Sequence, residues 1–265
     1  MTQEALVELI VKAILEQTQS VVAPAVKDYN SGGLASAPTA NPHTSARIGV
    51  GRAGARLRTD TYLQFRADHA AARDAVYNDV PAELLQQLNL PEFVTQCQSR
   101  DEFLTRPDLG RVFNEQTNKA IAAHNPQPCD VLIYAADGLS SKAVAANLEN
   151  ILPVLTESIS QQGLRCGRPF FVKYGRVASM EQVAQLTGVK VVCVLIGERP
   201  GLGSAESMSA YMAYAPTVGM PEARRTVVSN IYSGGLNAVE AGAYVAEVLG
   251  RMHREKKSGV ELNEG

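Results

Sequence analysis

The sequence predicts an α/β fold, in which a parallel β-sheet carries helices on both faces and follows a mainly helical region and a flexible N-terminal extension. Three observations predict this class. Short apolar runs alternate with helix-like periodicities from Cys129 onward, as in chains that build a parallel sheet. The run from Lys190 to Ile196 is nearly continuous in valine and leucine, which is typical of strands buried on both faces. A stretch near the N-terminus is rich in Ala, Ser, Gly and Pro, which is typical of a linker.

Composition excludes several broad classes. The 265 residues carry 25 basic and 27 acidic side chains, a net charge of -2, so no overall charge attracts nucleic acid or an anionic membrane. Apolar runs are too short to span a bilayer, and the first residues lack a secretory signal. The four cysteines form no CxxC pair and match no metal-ligand spacing. We therefore expect an intracellular protein with reduced thiols and no metal site, which binds neither nucleic acid nor membrane. The cysteines are Cys97, Cys129, Cys166 and Cys193.

Residues 1–45 are predicted to form an amphipathic helix followed by a flexible linker. Apolar residues recur at three- and four-residue spacing at the start of the chain, which places them on one helix face. The stretch from Thr18 to Ser45 has too little apolar content to fold by itself. We expect the tethered helix to dock through its apolar face, either onto another chain or back onto its own domain. The apolar residues are Leu6, Leu9, Ile10, Ala13 and Ile14.

Residues 46–128 are predicted to be mainly helical. The segment Arg58-Thr59-Asp60 is typical of an N-terminal cap, and the segment from Thr105 to Arg111 is predicted as a loop that enters a helix running through Phe113. Arginines crowd the beginning of this region. Such a cluster suits a phosphate or an acidic partner surface, and equally a solvated basic face. The arginines are Arg47, Arg52, Arg56, Arg58 and Arg66.

Residues 129–265 are predicted to form the sheet domain, with strand and helix in alternation. Such alternation favours parallel strands with helices on the two faces, which is a Rossmann-like arrangement. Ser140 and Asn237 are residue types that cap helices, so we expect helices to begin there. Pro153 is expected to kink or restart the first of these helices. The predicted strands are Val131–Ala135, Pro169–Val172, Lys190–Ile196 and Thr226–Ile231, and a short helix is predicted at Met180–Leu186.

Three of the predicted strands end at a glycine, namely Gly138, Gly175 and Gly197. The carboxyl ends of neighbouring parallel strands lie along one edge, where open sheets bind their ligands. Glycine lets the backbone turn sharply and lets a ligand approach it closely. We therefore predict a ligand site at this edge. Glu198 is interpreted as an acceptor for ligand amide or hydroxyl groups, and the alternative is a loop-bracing pair with Arg199 or another arginine.

The sequence offers no clear catalytic residue. None of the four histidines lies near the predicted strand ends, where a general base would be needed. Ser140 lacks a Gly-x-Ser-x-Gly elbow and is interpreted as a helix cap. The segment Gly201-Leu202-Gly203 lacks the third glycine of a dinucleotide fingerprint and does not follow the first strand. We therefore predict a binding domain without catalytic residues of its own. The histidines are His43, His69, His124 and His253.

Six motifs, in order along the chain, resemble the small subunit of ethanolamine ammonia-lyase. The resemblance covers nearly everything from Arg47 to Gly259, and six motifs in register are highly specific although each alone is modest. The motifs are Gly51-Arg52-Ala53-Gly54 with Arg58-Thr59, Leu104-Thr105-Arg106-Pro107-Asp108, Asp137-Gly138-Leu139-Ser140, Phe170-Phe171-Val172-Lys173-Tyr174-Gly175-Arg176-Val177, Gly197-Glu198-Arg199-Pro200-Gly201-Leu202-Gly203 and Ser229-Asn230-Ile231.

The resemblance implies an adenosylcobalamin-dependent lyase that converts ethanolamine to acetaldehyde and ammonia. In this family the large subunit is a β/α barrel with the substrate site and the catalytic residues, so the small subunit would be a Rossmann-like cobalamin-binding domain. The family's cofactor contacts would fall on Val177, Glu198 and Val227. Other members often carry cysteine at the position of Val227, so a contact through sulfur would be lost here, whereas a backbone contact would survive.

The resemblance also bears on the cofactor's form, the partners and the location. Asp68-His69-Ala70 does not match the Asp-x-His-x-x-Gly motif of another cobalamin class, so the benzimidazole base should stay on cobalt. The N-terminal helix resembles signals that load this enzyme into a bacterial microcompartment in the cytoplasm. Shell or cargo proteins are therefore expected partners beside the large subunit. Two rival functions remain, a stand-alone Rossmann-type nucleotide-dependent enzyme and a non-catalytic scaffold or cargo adaptor.

Overall fold

The computed structural model describes residues 50–263. The predicted N-terminal helix and linker, together with Arg47, lie outside the described residues. The chain divides into two compact units, residues 1–61 and residues 62–265. In the described part of the first unit, strands β1 (Arg52–Ala53) and β2 (Arg56–Leu57) form an antiparallel hairpin. The three-part division predicted from the sequence stays a prediction.

The remaining described elements are eight helices and the six strands of one sheet. The helices are α1 (Thr59–Tyr77), α2 (Ala82–Gln87), α3 (Arg100–Thr105), α4 (Glu115–His124), α5 (Ser141–Gln161), α6 (Ser179–Thr187), α7 (Ala238–Glu255) and α8 (Val260–Asn263), with 3₁₀ turns at Leu109–Arg111 and Glu222–Arg224. The strands are β3 (Glu92–Val94), β4 (Val131–Ala136), β5 (Phe171–Lys173), β6 (Val191–Gly197), β7 (Met208–Tyr214) and β8 (Thr226–Ile231).

The six-stranded sheet is mixed rather than wholly parallel. Its strands lie in the order β3-β5-β4-β6-β7-β8. The first four are parallel, whereas β7 pairs antiparallel with both β6 and β8, so the prediction of a parallel sheet is wrong for this half. A parallel crossover needs a dozen or more residues and usually a helix. Because residues 198–207 form no helix, the chain returns beside β6 in the opposite direction.

The sheet separates two hydrophobic cores. Along β4, Ile133 belongs to one core and its neighbours Leu132 and Tyr134 to the other, because side chains alternate across a strand. Helices α5 and α7 contribute to the first core, and α4 and α6 contribute to the second. We call the two sides the α5/α7 face and the α4/α6 face. The prediction of helices on both faces is confirmed.

Two predicted helix starts are confirmed by their caps. The Ser140 hydroxyl accepts a hydrogen bond from the Ala143 amide, and the Asn237 side chain accepts one from the Val239 amide. Pro153 lies inside α5, which continues without a break through it, so the proline does not restart the helix. The four predicted strands fall on β4, β5, β6 and β8, although β5 begins two residues later than expected.

Sequence reasoning missed β3 and β7. Strand β3 has only three residues and lies in the region that was predicted to be mainly helical. It nevertheless pairs parallel with β5 and extends the sheet. Strand β7 reads Met-Ser-Ala-Tyr-Met-Ala-Tyr, and its alanines and methionines are helix formers rather than strand formers. Pairing with two neighbouring strands overrides that preference.

Candidate functional site

The carboxyl ends of β4, β5 and β6 lie side by side, as predicted. Strand β4 lies between the other two. The Leu139 amide donates to the Gly197 carbonyl over 3.1 Å, and the Gly175 amide donates to Oδ1 of Asp137, also over 3.1 Å. The three strand ends therefore form one hydrogen-bonded unit. We call it the strand-end edge, and it comprises residues 137–140, 174–177 and 197–198.

The glycines at the strand-end edge serve the protein's own packing. A Cβ at Gly197 would meet the carbonyl oxygen of Ser140, and a Cβ at Gly138 would meet the carbonyl oxygen of Gly197. A Cβ at Gly175 would lie 2.7 Å from the Cβ of Ala136. The lack of a Cβ at these positions is therefore required by packing within this chain, and the approach of a ligand to these glycines stays a prediction. The sharp turn is confirmed at Gly138, where φ is 55°.

Asp137 is the buried charge at the strand-end edge, with only 1% of it exposed. Its Oδ2 lies 2.9 Å from Nη2 of Arg100, and the amides of Tyr174 and Gly175 also bond the carboxylate. Burial raises the pKa of Asp137 to about 6, although Arg100 and the two amides act to lower it. Sequence reasoning missed this residue because its partner Arg100 lies on a distant helix, and no local pattern links the two.

Glu198 braces the ends of β6, β7 and β8. Its Oε1 accepts hydrogen bonds from the Ser209 hydroxyl over 2.6 Å and from the Asn230 amide over 2.9 Å. Its Oε2 accepts from the Ser207 hydroxyl over 2.9 Å. Asn230 has a left-handed φ of 59° and lies within a shift of register between β7 and β8, on the segment between Val228 and Ile231. Glu198 therefore accepts a hydrogen bond from a backbone amide that the β-bulge leaves outside the hydrogen-bond ladder of β7 and β8.

The Glu198 carboxylate also has capacity for a ligand. A carboxylate offers about four acceptor positions, and Ser207, Ser209 and Asn230 occupy three of them. The residue is half-buried rather than enclosed. Among the described residues its bracing partners are hydroxyls and an amide, not the arginine that the alternative interpretation expected. Bracing and acceptance of one ligand N–H group are compatible roles for this side chain.

The structure brings the three predicted contact residues to one face of the sheet. Ile196 belongs to the core of the α4/α6 face, and alternation along the strand puts Glu198 on the same side. Val227 pairs with Tyr211, which packs against the same core, as Val177 does. Val227 does not reach the strand-end edge, because Tyr211 pairs with the middle of β6. The roles of these residues as cofactor contacts stay predictions.

The outer part of the α4/α6 face is open. Val227 is 46% exposed and its neighbour Tyr211 is half-buried, whereas all of β6 is buried. Strand β8 is an edge strand of the sheet, and edge strands present backbone N–H and C=O groups on their outer side. We call Tyr211 and Val227 the open strip. It offers apolar contact on the same face as Glu198, and the outer edge of β8 beside it offers backbone hydrogen bonds.

A buried ion pair fixes the beginning of β8. The guanidinium of Arg225, which is 8% exposed, contacts the carboxylate of Glu181 in α6. The same carboxylate accepts the Gly219 amide over 2.7 Å. The connection from β7 to β8 is thereby attached to α6. Val227, two residues after Arg225, is held in place on this face as a result.

Residue types with catalytic potential lie elsewhere. Nε2 of His124 lies 3.2 Å from the Pro169 carbonyl oxygen, and His253 lies 3.9 Å from Asp130, just before β4. Both contacts precede a strand and so lie at the amino edge of the sheet. The segment 201–203 lies in the loop that leads into β7 rather than into a helix. That is not the strand-to-helix context of a dinucleotide fingerprint.

Within residues 50–263, no three His, Cys, Asp or Glu side chains are grouped to hold a metal ion. No helix in that part of the chain is long and apolar enough to cross a bilayer. All four cysteines are free thiols, and Cys97 and Cys193 are buried. Burial raises the pKa of Cys166 to about 12, so this thiol stays neutral and unreactive at physiological pH.

Comparison with known proteins identifies similar chains. The sequence model of the ethanolamine ammonia-lyase light chain family matches residues 37–263. The ethanolamine ammonia-lyase small subunit of Clostridium tetani is 56% identical over 220 residues, which are 83% of this chain and 74% of that one. The small subunit of Listeria monocytogenes serotype 4a is 51% identical over 219 residues, 83% of this chain and 75% of its own. The small subunit of Clostridioides difficile is 48% identical over 219 residues, which are 83% of this chain and 75% of that one.

Proposed function

The chain belongs to the ethanolamine ammonia-lyase light chain family, and from this membership we propose that it is the small subunit of an ethanolamine ammonia-lyase. It acts with a large subunit, which supplies the substrate site and the residues that convert ethanolamine to acetaldehyde and ammonia. The contacts of this chain support a binding role. The carboxylates of Asp137 and Glu198 are both engaged by protein groups that fix their positions.

The cofactor in this proposal is adenosylcobalamin, held against the α4/α6 face. A corrin ring is broad and flat, with methyl and amide groups around its rim. The open strip matches the apolar part, and the free acceptor position of Glu198 matches an amide N–H group. The observation that carries the proposal is the 46% exposure of Val227 on the same face of the sheet as the anchored Glu198 carboxylate, whereas strand β6 is buried throughout.

The residues of this chain contribute placement rather than bond breaking. The bound cofactor would supply the radical, and the protein supplies orientation, hydrogen bonds and exclusion of water. Glu198 would orient an amide of the cofactor, Val177 would pack at the turn after β5, and Val227 would contribute through its backbone or its side chain. Because β8 is an edge strand, a backbone contact is available whichever residue type occupies the position of Val227.

We also propose the Rossmann-like classification for the strands β5, β4 and β6. Helix α5, between β4 and β5, packs on one face, and α6, between β5 and β6, packs on the other. Strand β4 lies between β5 and β6, so the first connection leads from β4 to one side and the second crosses back to β6 on the other side, and the helices diverge between β4 and β6. Such a point of divergence is where open α/β sheets bind ligands, and Gly138 and Glu198 lie on either side of it.

The microcompartment location rests on the sequence of the N-terminal segment, which lies outside the described residues. We propose that this segment directs the enzyme to a shell or to other cargo. Deletion of residues 1–17 should leave turnover of the assembled enzyme intact and abolish its encapsulation. A large loss of turnover would instead assign the segment to the enzyme's folded core.

Reconstitution with the large subunit tests the function. We expect the two chains to co-purify, to take up adenosylcobalamin with its visible absorption, and to convert ethanolamine only when both chains are present. Turnover by the large subunit alone would support the scaffold interpretation. Binding of NAD by this chain, without uptake of a corrinoid by the pair, would support the nucleotide-dependent enzyme.

A further inference from the structure

We propose that Asp137 is a positioning residue for the cofactor, an inference that rests on the proposed function. Through Arg100 and the amide of Gly175, its carboxylate sets the separation between the turn that carries Val177 and the strand end that carries Glu198. Asp137 itself does not touch the cofactor, because it is 1% exposed.

A row of four charged side chains ends at Asp137. Nζ of Lys173 lies 2.6 Å from Oδ2 of Asp79, and Oδ1 of Asp79 lies 3.0 Å from Nη2 of Arg100. The same nitrogen of Arg100 lies 2.9 Å from Oδ2 of Asp137. The charges alternate in sign along the row, from exposed Asp79 to buried Arg100 and Asp137. The row therefore joins β5, α3 and the end of β4.

The same groups hold the turn after β5. Tyr174 has a left-handed φ of 58°, which is unusual for a bulky residue and persists only where its surroundings enforce it. The Arg100 guanidinium lies 4.9 Å from the centre of the Tyr174 ring. The Thr95 hydroxyl donates to the Tyr174 carbonyl over 3.1 Å. With the amides of Tyr174 and Gly175 bonded to Asp137, the turn is held from both sides.

The two predicted contact residues, Val177 and Glu198, lie within two residues of the groups that Asp137 joins. Val177 lies two residues after Gly175, on the turn that bonds the Asp137 carboxylate. On the other side, the strand end of Asp137 packs against Gly197, and Glu198 is the next residue. A change at the Asp137 carboxylate would therefore move Val177 relative to Glu198.

A purely structural role does not account well for this pair. Burying two charges carries a desolvation cost that their attraction often fails to offset, so apolar residues commonly stabilise a fold as well or better. The Asp137–Arg100 pair instead fixes the turn at Tyr174, whose backbone conformation is sparsely populated. Fixed geometry is what a binding surface needs from the residues behind it.

The test compares two asparagine variants at opposite ends of β4, each assembled with the large subunit. Asp137→Asn keeps an oxygen for the Gly175 amide but loses the charge that pairs with Arg100. We expect the dissociation constant for adenosylcobalamin to rise roughly tenfold, as for other supporting residues behind a binding site. The KM for ethanolamine at saturating cofactor should not change. Asp130→Asn, which loses an ion pair with Arg165 at the amino edge, should alter neither value.

The outcomes separate the two proposals. Wild-type complex that takes up no adenosylcobalamin overturns the proposed function. Wild-type complex that binds it, with Asp137→Asn binding equally well, overturns the positioning role alone. A parallel rise of the KM for ethanolamine would indicate general loosening and would also overturn it. If Asp137→Asn does not fold, Arg100→Lys replaces it, since lysine keeps the charge but lacks the planar guanidinium that lies over the Tyr174 ring. Normal cofactor affinity in that variant contradicts the inference.

Discussion

The two halves of the sheet differ in how closely their residues are packed and how far they are exposed. At the ends of β4, β5 and β6, glycines pack against backbone, and the charged Asp137 is buried and paired. In the half formed by β7 and β8, Val227 is exposed on the α4/α6 face and Tyr211 is half-buried. Glu198 lies at the junction, since it ends β6 and bonds residues of both later strands.

We call the half with β4, β5 and β6 the closed half and the half with β7 and β8 the open half. Residues of the closed half support the binding surface, whereas residues of the open half would contact the ligand. In the closed half the strand ends pack closely on one another, so their buried residues act by holding their neighbours in place. In the open half the side chains of Tyr211 and Val227 are partly exposed and free to meet a ligand. Substitutions in the open half should therefore weaken binding directly, whereas those in the closed half should lower stability or act on binding through the position of their neighbours, as proposed for Asp137. Glu198 should affect both stability and binding.

The largest effect is expected from Gly197→Ala. The new Cβ would meet the backbone carbonyl oxygen of Ser140, and backbone cannot move aside as a flexible side chain can. We expect a loss of about 3 kcal/mol or more in the free energy of unfolding, measured by urea denaturation. Gly203→Ala is the matched control, because a Cβ there has nothing within 4 Å. Equal stability of the two variants would show that the strand-end edge is not closely packed.

Glu198→Ala should cost less stability, about 2 kcal/mol, because the Ser209 hydroxyl and the Asn230 amide lose their acceptor. Glu198→Gln retains an acceptor oxygen and should lose less than half as much in the same denaturation assay. Both variants should bind adenosylcobalamin more weakly than wild type in the assembled enzyme. Unchanged cofactor affinity in both would remove Glu198 from the site and leave it only its bracing role.

The buried carboxylate of Asp137 should make stability depend on pH. Its folded pKa of about 6 lies above its ordinary value of 3.8, so the folded state holds the proton more tightly than the unfolded state. Its contribution is therefore present below pH 3.8 and lost as the pH rises through 6. Relative to Asp137→Asn, wild type should gain about 1 kcal/mol between pH 7.5 and pH 5. Parallel pH profiles of the two proteins would show that the group does not titrate in this range.

The smallest effect on stability is expected in the open half, from Val227→Asp. The side chain is already 46% exposed, so the free energy of unfolding should change by only about 0.5 kcal/mol. Adenosylcobalamin binding should weaken clearly, because a carboxylate would replace an apolar contact. Val218→Asp, at a position 71% exposed near the amino edge of the sheet, is the control and should affect neither property. If both variants bind adenosylcobalamin equally weakly, the added charge rather than the open strip causes the weaker binding.

Local patterns predicted much of the closed half. The caps at Ser140 and Asn237, the apolar runs of β4 and β6, and the glycines after the strands are all short-range signals. The six motifs were sufficient to suggest the family, which the comparisons show. The role of Glu198 as an acceptor for ligand groups stays a prediction, and its bracing partners are two serine hydroxyls and a backbone amide rather than the arginine of the alternative interpretation.

The sequence by itself determined the α/β class, the helices on both faces, the family and the alignment of three strand ends, because periodicity, capping and motif order are local properties. Only the tertiary structure decided that β7 pairs antiparallel with β6 and β8, that Gly138 and Gly197 pack against backbone carbonyl oxygens, and that Asp137 pairs with Arg100. These features depend on which distant segments meet, and burial and pairing energies set that choice. A pattern of residue types along the chain does not contain them.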